Sequence, residues 1–147
     1  MKLPFLAAFA AASLATAAEA APQVSAAWSR PAAAGTTGAG FMTLTNLGSS
    51  PDALVSVESP WAKDTQVHQS SMAGGVARMQ RVERVEIPAG GKVTFAPGGY
   101  HLMFMGLGRA LKTGDRLPAT LTFASGAKVN AQFVVGLSPP ADEHAGH

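Results

Sequence analysis

Glycine and proline interrupt this chain about every ten residues, and the runs between them are rich in strand-forming residues. The clearest runs cover residues 41–46, 53–58, 101–105, 116–123 and 128–135. Short runs with such regular punctuation are typical of an antiparallel sandwich or barrel. No segment after residue 20 sustains a helical period, so the sequence predicts an all-β fold.

The first 20 residues predict a secretory signal rather than part of the fold. Lys2 is followed by an Ala-rich apolar run over residues 3–17, and residues 18–20 (Ala-Glu-Ala) fit the small-x-small rule for cleavage. A membrane anchor is the alternative, but the run is shorter than the ~20 apolar residues that a span needs. We therefore expect export, with a mature chain that begins at Ala21.

The rest of the chain predicts one domain over residues 21–137 and a polar, flexible tail over residues 138–147. No other stretch is apolar enough for membrane insertion, and we expect a monomer. The net charge of +2 comes from scattered basic residues, which argues against nucleic acid as a partner. The sequence contains no cysteine, which excludes disulfides and also a blue-copper centre, since that centre needs a cysteine thiolate.

The run His101-Leu102-Met103-Phe104-Met105 is the most informative part of the sequence. In a strand, alternation sends Leu102 and Phe104 to the core and the other three residues to the opposite face. The Cβ atoms of His101 and Met103 are then roughly 7 Å apart, and both side chains can reach a common ion. Met105 shares this face but lies further along, so we do not expect it to bind the ion directly.

Two earlier positions carry the same residue types. His68 follows Val67, which places the histidine on the opposite side from an apolar neighbour, and Met79 is flanked by Arg78 and Gln80. An exposed methionine beside arginine needs an explanation, and metal binding is one. Taken singly, each residue has a plainer interpretation, since methionine commonly fills cores and a lone histidine is commonly structural.

Other methionines and the nearby arginines are assigned to such plainer roles. Met42 lies within a strand-like run, and we assign it to packing. Met72 lies in an expected loop, where packing or simple exposure is favoured. Arg78, Arg81 and Arg84 could orient an acidic partner, although solvated surface charge is the favoured interpretation.

Imidazole and thioether donors together suit Cu(I) better than most other biological cations. Their spacing, His68-x10-Met79-x21-His101-x-Met103, resembles the signature of the periplasmic copper chaperones called PCu(A)C. Further matches are Asn46, Ile-Pro-Ala-Gly-Gly at residues 87–91, the segment 97–103, and Gly114-Asp115 before the run 117–123. The resemblance covers residues 28–135, nearly the whole mature domain.

The resemblance implies a cupredoxin-like Greek-key β-barrel or sandwich in the periplasm, with Cu(I) held by His68, Met79, His101 and Met103. It also implies delivery to the copper A centre of cytochrome c oxidase subunit II, directly or through a thiol-containing copper-transfer protein. Neutral thioethers favour Cu(I) over Cu(II) and need no deprotonation, so we expect transfer by ligand exchange at an exposed rim.

The C-terminal tail contains two histidines that raise the question of a second metal site. In some members of the PCu(A)C family, a longer His/Met-rich tail adds a Cu(II) site. The tail here is short and offers only His144 and His147. A Cu(II) site on this tail therefore stays an open hypothesis.

Several other functions compete with a copper carrier. A copper oxidase or monooxygenase would need a site stable in both oxidation states, usually richer in histidine, and we expect no enzyme. No Ser/His/Asp spacing or paired carboxylates recommend a hydrolase. A copper-buffering or resistance protein without a dedicated client shares every ligand with a chaperone, and the sequence does not separate the two.

Overall fold

A computed structural model describes residues 21–140, and over this range the chain contains ten strands and no helix. The predicted all-β fold is confirmed. The predicted signal at residues 1–20 and the tail histidines His144 and His147 lie outside the described residues. The strands are β1 (Gln23–Ser29), β2 (Gly38–Thr45), β3 (Asp52–Glu58), β4 (Ala62–Ala73), β5 (Val76–Val82), β6 (Val85–Ile87), β7 (Lys92–Phe95), β8 (Tyr100–Leu107), β9 (Arg116–Phe123) and β10 (Lys128–Val135).

The strands form one wrapped sheet in the order β5-β4-β8-β2-β1-β10-β9-β3-β6, with β7 paired to β2 off this path. Only β1 and β10 run parallel among the described strands; all other pairs are antiparallel. The sheet is not closed by hydrogen bonds, because β5 and β6 are its two ends. Among residues 21–140, no helix is long and apolar enough to span a membrane.

The core lies on the inner face of this sheet and follows the alternation of the strands. In β9 every second residue is buried, and β10 shows the same alternation from Ala131 to Val135, as expected for a strand with one face toward the core. The rings of Phe104 and Phe133 meet edge to face with centroids 5.5 Å apart. Met42 is only 1% exposed, which confirms its assignment to packing.

Glycines in β2 allow β8 to pack closely against its neighbours. β2 begins at Gly38, and Gly40 lies within it. A Cβ atom at Gly40 would lie 2.6 Å from the Phe104 ring, and one at Gly38 would lie 2.9 Å from Leu111. Both glycines are therefore strand positions that make room for core side chains.

The first strand begins earlier than the sequence indicates. The clearest strand-like runs in the sequence begin only at residue 41, whereas β1 covers Gln23–Ser29. The register with β2 shifts between Ser25 and Trp28, and Ala26 has a φ of 50°. This irregularity interrupts the alternation, which is why the sequence pattern conceals the strand.

Asn46 fixes the end of β2 through its side chain. It is 2% exposed, and its amide nitrogen donates to the carbonyls of Ser50 and Ile87 at 2.9 and 3.2 Å. Its amide oxygen accepts from the backbone N–H of Gly48 at 2.9 Å. Asn46 thus ties the β2–β3 turn to β6, which explains a side chain of this type at this buried position.

The hairpin of β4 and β5 extends beyond the rest of the sheet. The last residue of β4 that pairs with β8 is Gln69, and β4 then pairs only with β5. Gly74 and Gly75 have φ values of 60° and 78°, as a two-residue type I′ turn requires. We call residues 70–79 the ribbon; nearly all of them are exposed.

Candidate metal centre

His68 lies in the middle of three adjacent strands. In β4 it faces His101 of β8 on one side and Arg81 of β5 on the other. Residues directly opposite each other in antiparallel strands project from the same face of the sheet. The ring centroids of the two histidines are 5.9 Å apart, so the fold brings these two predicted ligands together.

The two predicted methionine ligands share the face of the histidines. Met103 is two residues from His101 and faces Gln66 of β4. Met79 faces Ser70, the residue two positions after His68. Because side chains alternate along a strand, both methionines project from the same side of the sheet as the two histidines.

The opposite face of the same strands belongs to the core. Leu102 and Phe104 are both 0% exposed, and Val67 and Val82 pack against the core cluster. The alternation predicted for β8 is therefore confirmed. The four candidate ligands lie on the outer face of β8, β4 and β5, and Met105 lies on it too, facing Asp64 at the far end.

Exposure rises steadily across this outer face. His101 is 6% exposed, His68 and Met103 are half-buried, and Met79 is 55% exposed. We expected an exposed site, and this is wrong for His101, which is buried although it faces away from the core. The exposed rim is formed by Met79, because the ribbon has no neighbouring strand beyond β5.

Hydrogen bonds to the two rings determine which nitrogen is free. His101 Nδ1 lies 3.2 Å from the carbonyl of Gly99, which accepts a hydrogen bond and so fixes the proton on Nδ1. His68 Nε2 lies 3.0 Å from the amide oxygen of Gln66, which fixes its proton on Nε2. The free nitrogens of the neutral rings are then Nε2 of His101 and Nδ1 of His68.

The free nitrogen of His68 is buried and has no hydrogen-bond partner. Buried polar atoms in folded proteins are nearly always paired, and an unpaired one calls for an explanation. A metal ion satisfies such an imidazole lone pair, while the hydrogen bond at the other nitrogen orients the ring. The environment of His68 therefore fits a metal ligand.

The pKa of His68 is lowered from its ordinary value of 6.5. Burial contributes most, followed by the neighbouring His101 and then by the positive charge of Arg81. All three disfavour the imidazolium form. The ring is therefore neutral and able to donate its lone pair at neutral pH.

Gln66 was not identified from the sequence, and Arg81 was identified only as a possible contact for an acidic partner or as solvated surface charge. Gln66 orients the ring of His68, and Arg81 brings a positive charge to the same face. The signal for Arg81 was present, because a two-residue turn at Gly74 and Gly75 sets the pairing of β4 with β5. Among residues 21–140, no group of three or more His, Cys, Asp or Glu side chains is placed to hold a metal ion.

Comparisons with known proteins agree with this fold. Residues 23–135 match the family described as "LpqE-like: Putative lipoprotein LpqE-like". The protein described as "Putative lipoprotein Lxx21020", from Leifsonia xyli subsp. xyli (strain CTCB07), is 38% identical over 106 residues, or 71% of this chain. The chain spans 63% of the length of that curated relative.

Two solved structures are similar over most of the chain. The solution structure of "CuI-DR1885" from Deinococcus radiodurans is 34% identical, covers 82% of both chains and has a TM-score of 0.60. The "Copper-bound PCuAC domain from PmoF2" is 25% identical, covers 84% of this chain and 97% of that one, and has a TM-score of 0.66. The predicted cupredoxin-like Greek-key architecture is thereby confirmed. The chain belongs to the LpqE-like family and has the PCuAC-like fold.

Proposed function

We propose that this protein is an exported carrier of Cu(I), which it holds between His68, His101, Met79 and Met103 and hands to a partner. The observation that carries the proposal is the position of these four side chains on one face, with a buried, unpartnered nitrogen on His68. The similarity to proteins described as CuI-DR1885 and as a copper-bound PCuAC domain supports it.

The donor set matches a soft, singly charged cargo. Two thioethers and two neutral imidazoles carry no charge, and soft thioether ligands select Cu(I). The lowered pKa of His68 keeps its ring neutral, so protons compete weakly with the cargo near neutral pH. Without thiolates, the site holds the ion loosely enough for a protein with a thiol to take it.

The exposure gradient gives the exchange a direction. Met79, at 55% exposure, is accessible to an incoming ligand, whereas His101, at 6%, is not. A thiolate or imidazole of the partner enters on the Met79 side, Met79 is the first of the four ligands to leave, and the ion is then shared between the two proteins. The buried imidazole of His101 leaves last.

We infer that the client is the copper A centre of cytochrome c oxidase subunit II, reached directly or through a thiol-containing copper-transfer protein. Export to the periplasm and action as a monomer complete the proposal. The description of the family as a lipoprotein supports export, although the 147 residues contain no cysteine sulfur that could carry a lipid. The role is copper homeostasis or oxidase assembly by binding, not catalysis.

An anaerobic Cu(I) titration against a calibrated chelator tests the site. We expect one tight Cu(I) per chain, with Cu(II) not retained at the site. Met79→Leu and Met103→Leu should each lower the affinity, the latter by more than about 100-fold, since losing even an outer partner of a ligand costs about 10–100-fold. Met105→Leu is the matched control on the same face and should bind like the wild type. Unchanged Cu(I) affinity in both ligand variants would refute the site.

A second measurement separates delivery from buffering. The Cu(I)-loaded protein is mixed with the soluble copper A domain of subunit II, and copper on each partner is measured after separation. A carrier transfers the ion to this domain or to a thiol protein that then loads it. A protein that gives copper only to strong chelators is a buffer, which would contradict the proposed delivery.

A further inference from the structure

Met72 is the most exposed methionine among residues 21–140, and packing does not explain it. Its side chain is 73% exposed, compared with 1% for Met42 in the core. We expected Met72 in a loop, but it lies within β4, near the end of the ribbon. A large apolar side chain left in water contributes little to stability through burial. The chemistry of the Met72 sulfur is therefore the property that could give this side chain a role.

The strand register places Met72 next to the candidate site. Met72 faces Ala77, and Met79 faces Ser70, so the two methionines are diagonal neighbours across β4 and β5. Alternation along β4 puts Met72 on the same face as His68. Diagonal neighbours on one face of an antiparallel pair have Cβ atoms about 7–8 Å apart, within reach of long side chains.

The soft donors on this face thus form a line of increasing exposure. It starts at the buried His101, passes the half-buried His68, continues to Met79 and ends at Met72. Met105 lies at the opposite end of the face and is half-buried, so it is not part of this outward line. The outermost position is the one that a partner would reach first.

We propose that Met72 is an additional Cu(I) ligand that binds the ion during entry and release, when Met79 has let it go. This inference rests on the proposed Cu(I) site. In the step itself, the bond between copper and the sulfur of Met79 breaks as a bond to the sulfur of Met72 forms. Both sulfurs are neutral thioethers, so copper stays Cu(I), no proton moves and no electron is exchanged.

A free thioether at the end of the ribbon lowers the barrier to exchange because the ion does not have to lose a ligand before the partner arrives. Beyond Ser70, whose backbone N–H donates to the carbonyl of Gly99, the ribbon is paired on one side only, and such two-stranded segments open and twist at low cost. Met72 and Met79 can therefore approach each other without disturbing the core.

The test combines methionine-methyl NMR with transfer kinetics on the Cu(I)-loaded mature protein. With ¹³C-methyl methionine, we expect the signals of Met79 and Met103 to shift at one equivalent of Cu(I), and that of Met72 to broaden or shift through exchange. Stopped-flow transfer to the chromogenic chelator bathocuproine disulfonate should slow about tenfold in Met72→Leu, equivalent to about 1.4 kcal/mol of barrier.

Two further variants distinguish an effect of the Met72 sulfur on the transfer rate from an effect of a changed ribbon shape. Val76→Ala removes an exposed apolar side chain at the same end of the ribbon but on the other face, and should transfer at the wild-type rate. Adding Ala77→Met to Met72→Leu restores a thioether at the position that faces residue 72, and should restore the rate.

The outcomes distinguish this inference from the function on which it rests. If neither Met79 nor Met103 responds to Cu(I), the proposed site itself is refuted. If both respond while the Met72 signal stays fixed and Met72→Leu transfers as fast as the wild type, only the role of Met72 is overturned. A rate loss in Met72→Leu that Ala77→Met does not repair also overturns it, since the loss would then not come from the sulfur.

Discussion

The two sides of the candidate site differ in how firmly the fold holds them. His101 lies in β8, which pairs with β4 on one side and β2 on the other, and its ring is hydrogen-bonded to Gly99. Met79 lies in the ribbon, at the end of the sheet, where almost every residue is exposed. One site is thus built from a rigid half and a loosely supported half.

This division suits a protein that must both keep and release an ion. Ligands fixed by packing and hydrogen bonds are preorganised and retain the cargo. Ligands on segments with few buried contacts open at low cost and permit exchange. A site placed wholly on β8 and β2 would release slowly, and one placed wholly on the ribbon would bind weakly.

The first prediction tests the rigid half through its packing. Gly40→Ala places a Cβ atom 2.6 Å from the Phe104 ring, under the strand that carries His101 and Met103. We expect a loss of about 1–3 kcal/mol in the free energy of unfolding, because overpacking forces side chains and backbone to shift. Urea denaturation of the apo-protein measures this loss.

The matched control is Ala77→Val in the ribbon. Its side chain is exposed, and substitutions at such positions change stability by less than about 0.5 kcal/mol. Equal effects of the two substitutions would show that the two halves are held alike, and the comparison would fail.

The sequence predicted those parts of the site that depend on local patterns. Alternation in residues 101–105 gave the face of His101 and Met103, because a strand has a fixed period of two. The glycine pair at Gly74 and Gly75 also fixes the pairing of β4 with β5, since a two-residue turn leaves no freedom of register. Met72 and Arg81 could have been placed from that rule.

What the sequence concealed depends on contacts between distant segments. The pairing of His68 with His101 joins β4 to β8 across a long connection, whose register no local turn determines. The burial of His101 follows from that pairing. The strand position of Gly40 depends on close packing against the Phe104 ring, a contact that the local sequence does not indicate.

The second prediction concerns His68, which lies where the two halves meet. Its pKa is lowered in the folded protein, mainly by burial, whereas the unfolded chain has the ordinary value of about 6.5. Below that pH the unfolded state binds a proton that the folded state does not, so the stability of the apo-protein falls as the pH decreases. The loss stops once the pH lies below the folded-state pKa.

Urea midpoints of the apo-protein between about pH 7.5 and 5 measure this dependence. In His68→Gln the contribution of His68 is absent, and we expect a flatter curve over the same range. A slope that is the same in the wild type and in His68→Gln would mean that the environment of His68 does not disfavour its protonated form.

The third and smallest effect comes from Arg81, the positive charge on the ribbon side that faces His68. Arg81→Gln should raise the pKa of His68, although only in part, because burial and His101 lower it more than Arg81 does. The guanidinium also repels Cu(II) more than Cu(I), since the interaction scales with the charge of the ion. Removing the Arg81 charge should therefore strengthen the binding of Cu(II) relative to that of Cu(I).

Two measurements check this expectation. An NMR titration follows the His68 ring, and voltammetry of the copper-loaded protein follows the reduction potential, which should fall by less than the roughly 59 mV that a tenfold change in relative affinity produces. The shift should shrink at high salt, because charges near the surface are screened over about 10 Å at 0.1 M. Arg78→Gln removes the same charge from the other face of β5, and should leave both quantities unchanged. If the two arginine variants behaved alike, the ribbon would contribute only diffuse charge, and the proposed preference for Cu(I) would rest on the thioethers of Met79 and Met103 alone.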